Sequence, residues 1–169
     1  MITLEENERK YLVSDVSKKG LWDKEQIVYQ WYVCVEENGH TKIKIAFDIL
    51  KARIIYAEIM KNTISIGRNS KQVKYLDIRD FSPNFMVGLP FVLKRRSISG
   101  RIFLDKMLES NGFCDYLLED EANELSDYHG GEFNILRDVT DDLRYYNKNL
   151  CRIFTNDDAI FLGKLLRIF

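Results

Sequence analysis

Little in this sequence interrupts the backbone or cross-links it. The 169 residues hold two prolines, Pro83 and Pro90, and nine glycines, with no low-complexity stretch and no repeat. That excludes a collagen-like, linker-like or solenoid chain. The three cysteines, Cys34, Cys114 and Cys151, are odd in number, scattered, and form no Cys-x-x-Cys pair. A disulfide framework is excluded, and buried free thiols in a reducing compartment are expected. His40 and His129 stand alone and read as turn and loop residues. No apolar run approaches the roughly 20 residues that cross a bilayer. The charged start, Met1 to Lys10, lacks the apolar segment of a signal peptide. Neither sign of charge dominates: 25 Lys and Arg face 26 Asp and Glu, for a net charge of −1. A nonspecific nucleic-acid binder carries a basic excess, which is missing here. No Gly-x-x-x-x-Gly-Lys-Ser/Thr loop and no Gly-x-Ser-x-Gly elbow occurs. The expectation is a cytoplasmic protein with neither a membrane nor a nucleic acid as partner.

What is present is a dense set of charges, 30% of all residues, inside a chain that is 46% hydrophobic. The length fits one domain, 1–169, with a packed core. Aromatic and β-branched residues gather in short runs, which predict strands at 4–13, 26–35, 41–47, 52–61, 71–76, 90–98, 101–108 and 113–121. Turn signals lie between them at Asn38-Gly39, Gly67-Arg68-Asn69, Ser99-Gly100 and Asn111-Gly112. The stretch 77–87 reads as a short helix or an irregular connection broken by Pro83. From 141 the pattern turns helical. Segment 156–167 reads as a helix capped by Asn156, with Asp157 and Asp158 suited to its positive end. Its exposed face is the candidate surface for a homodimer. Many antiparallel strands followed by helices give an α+β class, built on a large sheet or a barrel.

The phase of the charges carries the functional signal. Side chains at i, i+2 and i+4 of a strand share a face. Glu6, Glu8 and Lys10 therefore go together, as do Lys42 and Lys44, Lys94 and Arg96, and Glu119 and Glu121. Lys61 ends the strand at 52–61. Such a face is ordinarily the wet side of a sheet. If the strands close with these faces inward, they make a lumen with six bases and four acids. Glutamates are the hard oxygen ligands that Mg²⁺ or Mn²⁺ prefers, and the bases would clamp phosphate oxygens. A small polyanion suits such a lumen, because buried cations need a partner.

Glu6-Asn7-Glu8-Arg9-Lys10-Tyr11-Leu12-Val13 resembles the Glu-x-Glu-x-Lys signature that opens CYTH proteins, the triphosphate tunnel metalloenzymes that include class IV adenylyl cyclases and thiamine triphosphatases. Segments further along the chain are similar too, and in the same order. Gln30-Trp31-Tyr32-Val33 resembles the family's second strand, Lys42-Ile43-Lys44 its basic-x-basic pair, and Lys61 its next strand-ending lysine. Lys94-Arg95-Arg96 resembles its Lys-x-Arg, Phe103-Leu104-Asp105 the strand bearing an Asp, and Leu118-Glu119-Asp120-Glu121 its Glu-x-Glu strand. Asp138-Val139-Thr140 through Arg144-Tyr145-Tyr146-Asn147 resembles its C-terminal segment. The likeness spans roughly 4–152.

The resemblance implies an antiparallel β-barrel forming a triphosphate tunnel with flanking helices. It implies that Glu6, Glu8, Glu119 and Glu121 bind Mg²⁺ or Mn²⁺. Lys42, Lys44, Lys61, Lys94, Arg96 and Arg144 would bind the triphosphate, and Lys10 would be the catalytic lysine that activates or positions the attacking group. The expected activity is metal-dependent hydrolysis of inorganic triphosphate, thiamine triphosphate or a nucleoside triphosphate. Cyclic AMP formation from ATP and binding without turnover are the alternatives. The chain departs from the family in three ways, one of them Asp138 in place of the usual, longer Glu. Lys-x-Lys replaces the usual Arg-x-Arg, which loses bidentate geometry. The strand at 71–76 carries no Glu-x-Glu pair, although Asp77 lies beside it.

Overall fold

Alternation of period two along most of the chain builds a single antiparallel sheet. The computed structural model describes residues 2–14, 22–65, 68–121 and 133–168. The strands are β1 (Ile2–Asn7), β2 (Arg9–Val13), β3 (Lys24–Glu36), β4 (Gly39–Asp48), β5 (Arg53–Ser65) and β6 (Arg68–Tyr75), then β7 (Pro90–Ser99), β8 (Ile102–Glu109), β9 (Tyr116–Asp120), β10 (Ile135–Asp138) and β11 (Arg152–Ile153). They hydrogen-bond in the order β1-β6-β5-β4-β3-β7-β8-β9-β2-β10, with β11 on β7.

Among the described residues the ladder is not closed: β1 and β10 are its two ends. The chain nevertheless brings its margins together. β1 and β2 are one N-terminal run that changes partner at Glu8, pairing β6 before it and β9 after it. Asn7 N–H donates to the Glu121 carbonyl at 3.3 Å beside this switch. The expected barrel is therefore a curled sheet, sealed by a covalent step and not by a continuous ladder.

The apolar core lies mainly outside the curl. Tyr29 and Trp31 of β3, Ile45 and Phe47 of β4 and Phe91 of β7 are buried on the outer face. They pack under α1 (Asn156–Leu166), whose Ala159 and Leu162 are buried against them, and under Phe81 and Phe154. Trp31 meets Phe154 edge-on at 5.3 Å and Phe81 at 5.7 Å. A second outer patch joins Val13, Ile102, Leu104 and Leu118. Inside the curl, one end is plugged by Val92, Met107, Leu117, Val139, Tyr145 and Leu150. Burying aromatic bulk outside and polar groups inside inverts the common arrangement of a small barrel.

Several sequence expectations are corrected here. The cap of α1 is Thr155, not Asn156: its hydroxyl accepts from Asp158 N–H while the Asp158 carboxylate accepts from Thr155 N–H, a reciprocal capping box. Between 141 and 150 there are only 3-10 turns, Leu143–Tyr145, started by the Asp142 side chain, and Asn147–Asn149. The stretch 77–87 holds two 3-10 turns, Ile78–Asp80 and Pro83–Met86. β10 and β11 carry no alternating signal because they are short and lie largely exposed. Cys34 is exposed, Cys114 is buried ahead of β9, and Cys151 is half-buried; all three are free thiols. His129 and the turn glycine Gly67 lie outside the described residues. Among the described residues no helix is long and apolar enough to cross a membrane.

Candidate functional site

The inner face of the curl encloses a cavity of about 220 Å³. Register decides which residues meet there. Lys10 on β2 lies opposite Glu119 on β9. Gln30 on β3 lies opposite Lys44 on β4, and Lys61 on β5 opposite Lys71 on β6. The lining includes Glu6, Glu8, Lys10, Lys42, Lys44, Lys61, Arg96, Glu119 and Glu121, so nine of the eleven residues read from the sequence share one space. With Lys71, Lys148 and Glu37 also lining it, seven Lys and Arg face five Glu. The lumen holds a surplus of two positive charges.

Two expected residues stand elsewhere. Lys94 is fully buried behind the lining: its Nζ lies 2.5 Å from Asp105 Oδ2 and 3.3 Å from Asn147 Oδ1. Arg144 is exposed on an outer groove with Arg9 and Arg137, held by Asp142 at 2.6 Å and lying over the Phe113 ring. It is turned to that groove because Asp142, which caps the short turn, fixes its guanidinium locally. Asp77 likewise caps its own turn and pairs with Arg79.

Several residues lining the cavity escaped the sequence reading, Lys71, Tyr146, Asn147 and His40 among them. Lys71 sits where an acid was sought, and its inward phase was readable from the strand 71–76. Tyr146 lies with its ring 5.3 Å from Lys10 Nζ. Asn147 donates to Glu119 Oε1 at 2.9 Å. His40, taken as a plain turn residue, lines the cavity with its buried Nε2 lacking a hydrogen-bond partner among the described residues. Burial, together with Lys42 and Lys61, pushes its imidazole down to about 3, so it is neutral.

The acids are closed by cations. Glu6 accepts from Lys71 through Oε1, and Lys61 Nζ lies 2.9 Å from its Oε2, although that oxygen receives no well-directed hydrogen bond. Glu8 meets Lys10, and its Oε2 is 2.5 Å from Lys61. Glu119 meets Lys10 at 2.7 Å and Arg96 at 2.5 Å. Burial disfavours charge on Glu6 and Glu8, but their lysines outweigh it and hold both carboxyls down at about 2. Glu121 behaves differently. Burial pushes its carboxyl up, and Lys71, its one cation partner at 3.8 Å among the described residues, does not compensate.

Lys10 is also buried, yet Glu119 and Glu8 raise its affinity for a proton, so it stays an ammonium. An ammonium held in this way orients and attracts; it is not a base. Lys42 and Lys44 have no carboxylate partner among the described residues. Burial and the neighbouring cations push Lys42 well down and Lys44 to about 7. Two half-buried lysines facing other cations are a cost to the free protein and an attraction for an anion.

The expected metal does not fit this arrangement. Both carboxylate oxygens of Glu6, Glu8 and Glu119 already have an ammonium or guanidinium on them. Among the described residues no three His, Cys, Asp or Glu side chains converge so as to hold an ion. To sit on Glu6, Glu8 or Glu119, a divalent ion would have to displace Lys61, Lys71, Lys10 or Arg96.

No family description matches this chain, and no curated protein does. Among solved structures, the chain is similar to an inorganic triphosphatase at 16% identity and a TM-score of 0.49, over 89% of this chain and 97% of that one. It is also similar to a protein from Pyrococcus horikoshii OT3 at 14% identity and a TM-score of 0.47, over 98% of this chain and 100% of that one. At these identities neither likeness speaks to the reaction.

Proposed function

We propose that the lumen receives the triphosphate group of a small molecule, inorganic triphosphate or a small organic triphosphate, and that the protein hydrolyses its terminal phosphoanhydride. The observation that carries this is the pair Lys42 and Lys44, turned into an enclosed cavity of net positive charge with no acid paired to them among the described residues. A neutral ligand would leave them uncompensated. A compact chain of phosphates offers an oxygen to each. The CYTH-like order of motifs supports the same reading.

Arg96 and the lysines would fix the phosphate chain, and Lys10 would orient the terminal phosphoryl group. Hydrolysis forms a bond from a water oxygen to the terminal phosphorus and breaks its bond to the bridging oxygen. Diphosphate and phosphate result, and the water gives up a proton. Glu121 is the lumen acid best able to take that proton, because burial raises its affinity for one. Charge in such a transition state spreads over phosphate oxygens, so positioning and electrostatics supply most of the catalysis.

Binding without turnover is the second reading, favoured by the closure of Glu6, Glu8 and Glu119 by cations. Incubation with inorganic triphosphate, with and without Mg²⁺ or Mn²⁺, separates the two by phosphate release. Release supports the hydrolase. Tight binding with no release favours the second reading, and neither binding nor release sinks both. Cyclic AMP and diphosphate from ATP would instead reveal a cyclase.

A further inference from the structure

Lys71 reaches the lumen from β6, directly opposite Lys61 on β5. Like charges facing each other across a ladder repel. Glu6 relieves this by taking one ammonium on each oxygen: Lys71 on Oε1, and Lys61 at 2.9 Å from Oε2. The same Lys71 Nζ is 3.8 Å from Glu121 Oε1. It therefore ties together two carboxylates from distant strands, one on β1 and one just past β9. Without it, Glu6 and Glu121 would face each other in a half-closed space, and a second acid that cannot shed its charge to solvent is costly there. Two carboxylates that converge on one cation, next to phosphate oxygens, are the setting in which proteins hold Mg²⁺. Here the cation is supplied by the chain itself.

We propose that Lys71 is a built-in cation that takes the place of a divalent metal between Glu6 and Glu121, so that the lumen takes up its triphosphate metal-free. This rests on the reading of the lumen as a triphosphate receptor. An ammonium has three N–H donors and carries one charge. Lys71 can hold the two acids and still donate to a phosphate oxygen. Lys42 and Lys44, which have no acid of their own among the described residues, meet the remaining oxygens directly. A triphosphate already neutralised by a divalent ion offers this positive lumen less charge to complement, and its metal finds no open carboxylate cluster among the described residues.

The test is calorimetric titration of the protein with inorganic triphosphate, in buffer stripped of divalent ions and again with Mg²⁺. The wild type is expected to bind at least as tightly without the metal as with it. Lys71→Gln keeps the bulk and removes the charge. It should lose about ten- to a hundredfold in affinity in stripped buffer, the worth of one charge-assisted hydrogen bond, and recover when Mg²⁺ fills the vacated position. Lys71→Arg should restore part of the loss. Wild-type binding that needs Mg²⁺ overturns the inference while leaving the triphosphate reading intact, as does a Lys71→Gln variant unaffected in stripped buffer. Should the variant not fold, the wild-type comparison decides alone. No binding in either buffer removes the triphosphate reading, and this inference with it.

Discussion

Lys10 Nζ lies 2.7 Å from Glu119 Oε1, the residue placed directly opposite it across β2 and β9, and it also pairs with Glu8 from the bend between β1 and β2. One ammonium thus joins the strand margin where the curled sheet changes partner. Arg96 takes the other Glu119 oxygen at 2.5 Å. Removing that carboxylate takes one of two acid partners from each of two buried cations, leaving Lys10 with Glu8 and Arg96 with Asp105.

Glu119→Gln is therefore expected to destabilise the free protein by about 3 kcal/mol, in the range for breaking a buried pair from one side. Inorganic triphosphate should recover part of that loss, because it supplies the missing negative charge, and turnover should be lost. Thermal unfolding with and without triphosphate reads the first two effects, and phosphate release reads the third. A variant as stable as wild type, and still active, would remove Glu119 from the site.

Lys44→Met should act in the opposite direction on stability. It deletes a cation on which the repulsion of Arg96, Lys71 and Lys94 outweighs the pull of Asp105, and which is in no ion pair among the described residues. The free protein should unfold at a higher temperature, while triphosphate affinity falls by about tenfold or more. Gain of stability with loss of binding is the signature of a functional strain. Loss of both would mean that Lys44 is structural.

The same lysine predicts a pH dependence. Its folded-state value of about 7 lies below the ordinary 10.5. Between those values the unfolded chain holds more protons at this group, so its contribution makes the free protein more stable as pH rises from 7 towards 10. Below pH 7 the cost of the charged lysine is fully present. A bound polyanion favours the ammonium, so binding at pH 8 should take up protons and weaken as pH rises. Calorimetry in two buffers of different ionisation enthalpy measures that uptake; proton release would contradict the assignment.

Asp105 and Arg144 make a contrasting pair. Asp105→Asn strands the fully buried Lys94 and weakens its contact with Arg96, for an expected loss of about 3–5 kcal/mol. Arg144→Ala removes only an exposed pair with Asp142, worth about 0–1 kcal/mol. Because Arg144 faces the outer groove, its removal should leave triphosphate affinity unchanged. Denaturant unfolding and titration check both.

Much of the cavity's lining was legible because a strand's side-chain period is two. That period joined Glu6 to Glu8 and Lys10, and Lys42 to Lys44, before any partner strand was known. The same reasoning placed Lys94 with Arg96, and both do point inward, yet Lys94 is sealed behind the lining by Asp105 and Asn147. Depth within a lumen is not a property of phase. Arg144 was misplaced for a different reason: a two-residue contact with Asp142 outweighs any longer reach. His40 was missed because a histidine after a turn glycine gives no sign that its strand leads into a cavity.

The sequence by itself determined most of the strands, the polar phase of their inner faces and the near balance of charge, because these depend on local alternation and composition. Only the tertiary structure decided that the apolar core sits mainly outside the curl, that Lys71 meets Glu6 and Glu121, and that Lys42 and Lys44 have no acid paired to them among the described residues. Those facts depend on strand order and register, which set which distant residues come within a few ångströms, and electrostatic energy falls with distance in space and not along the chain.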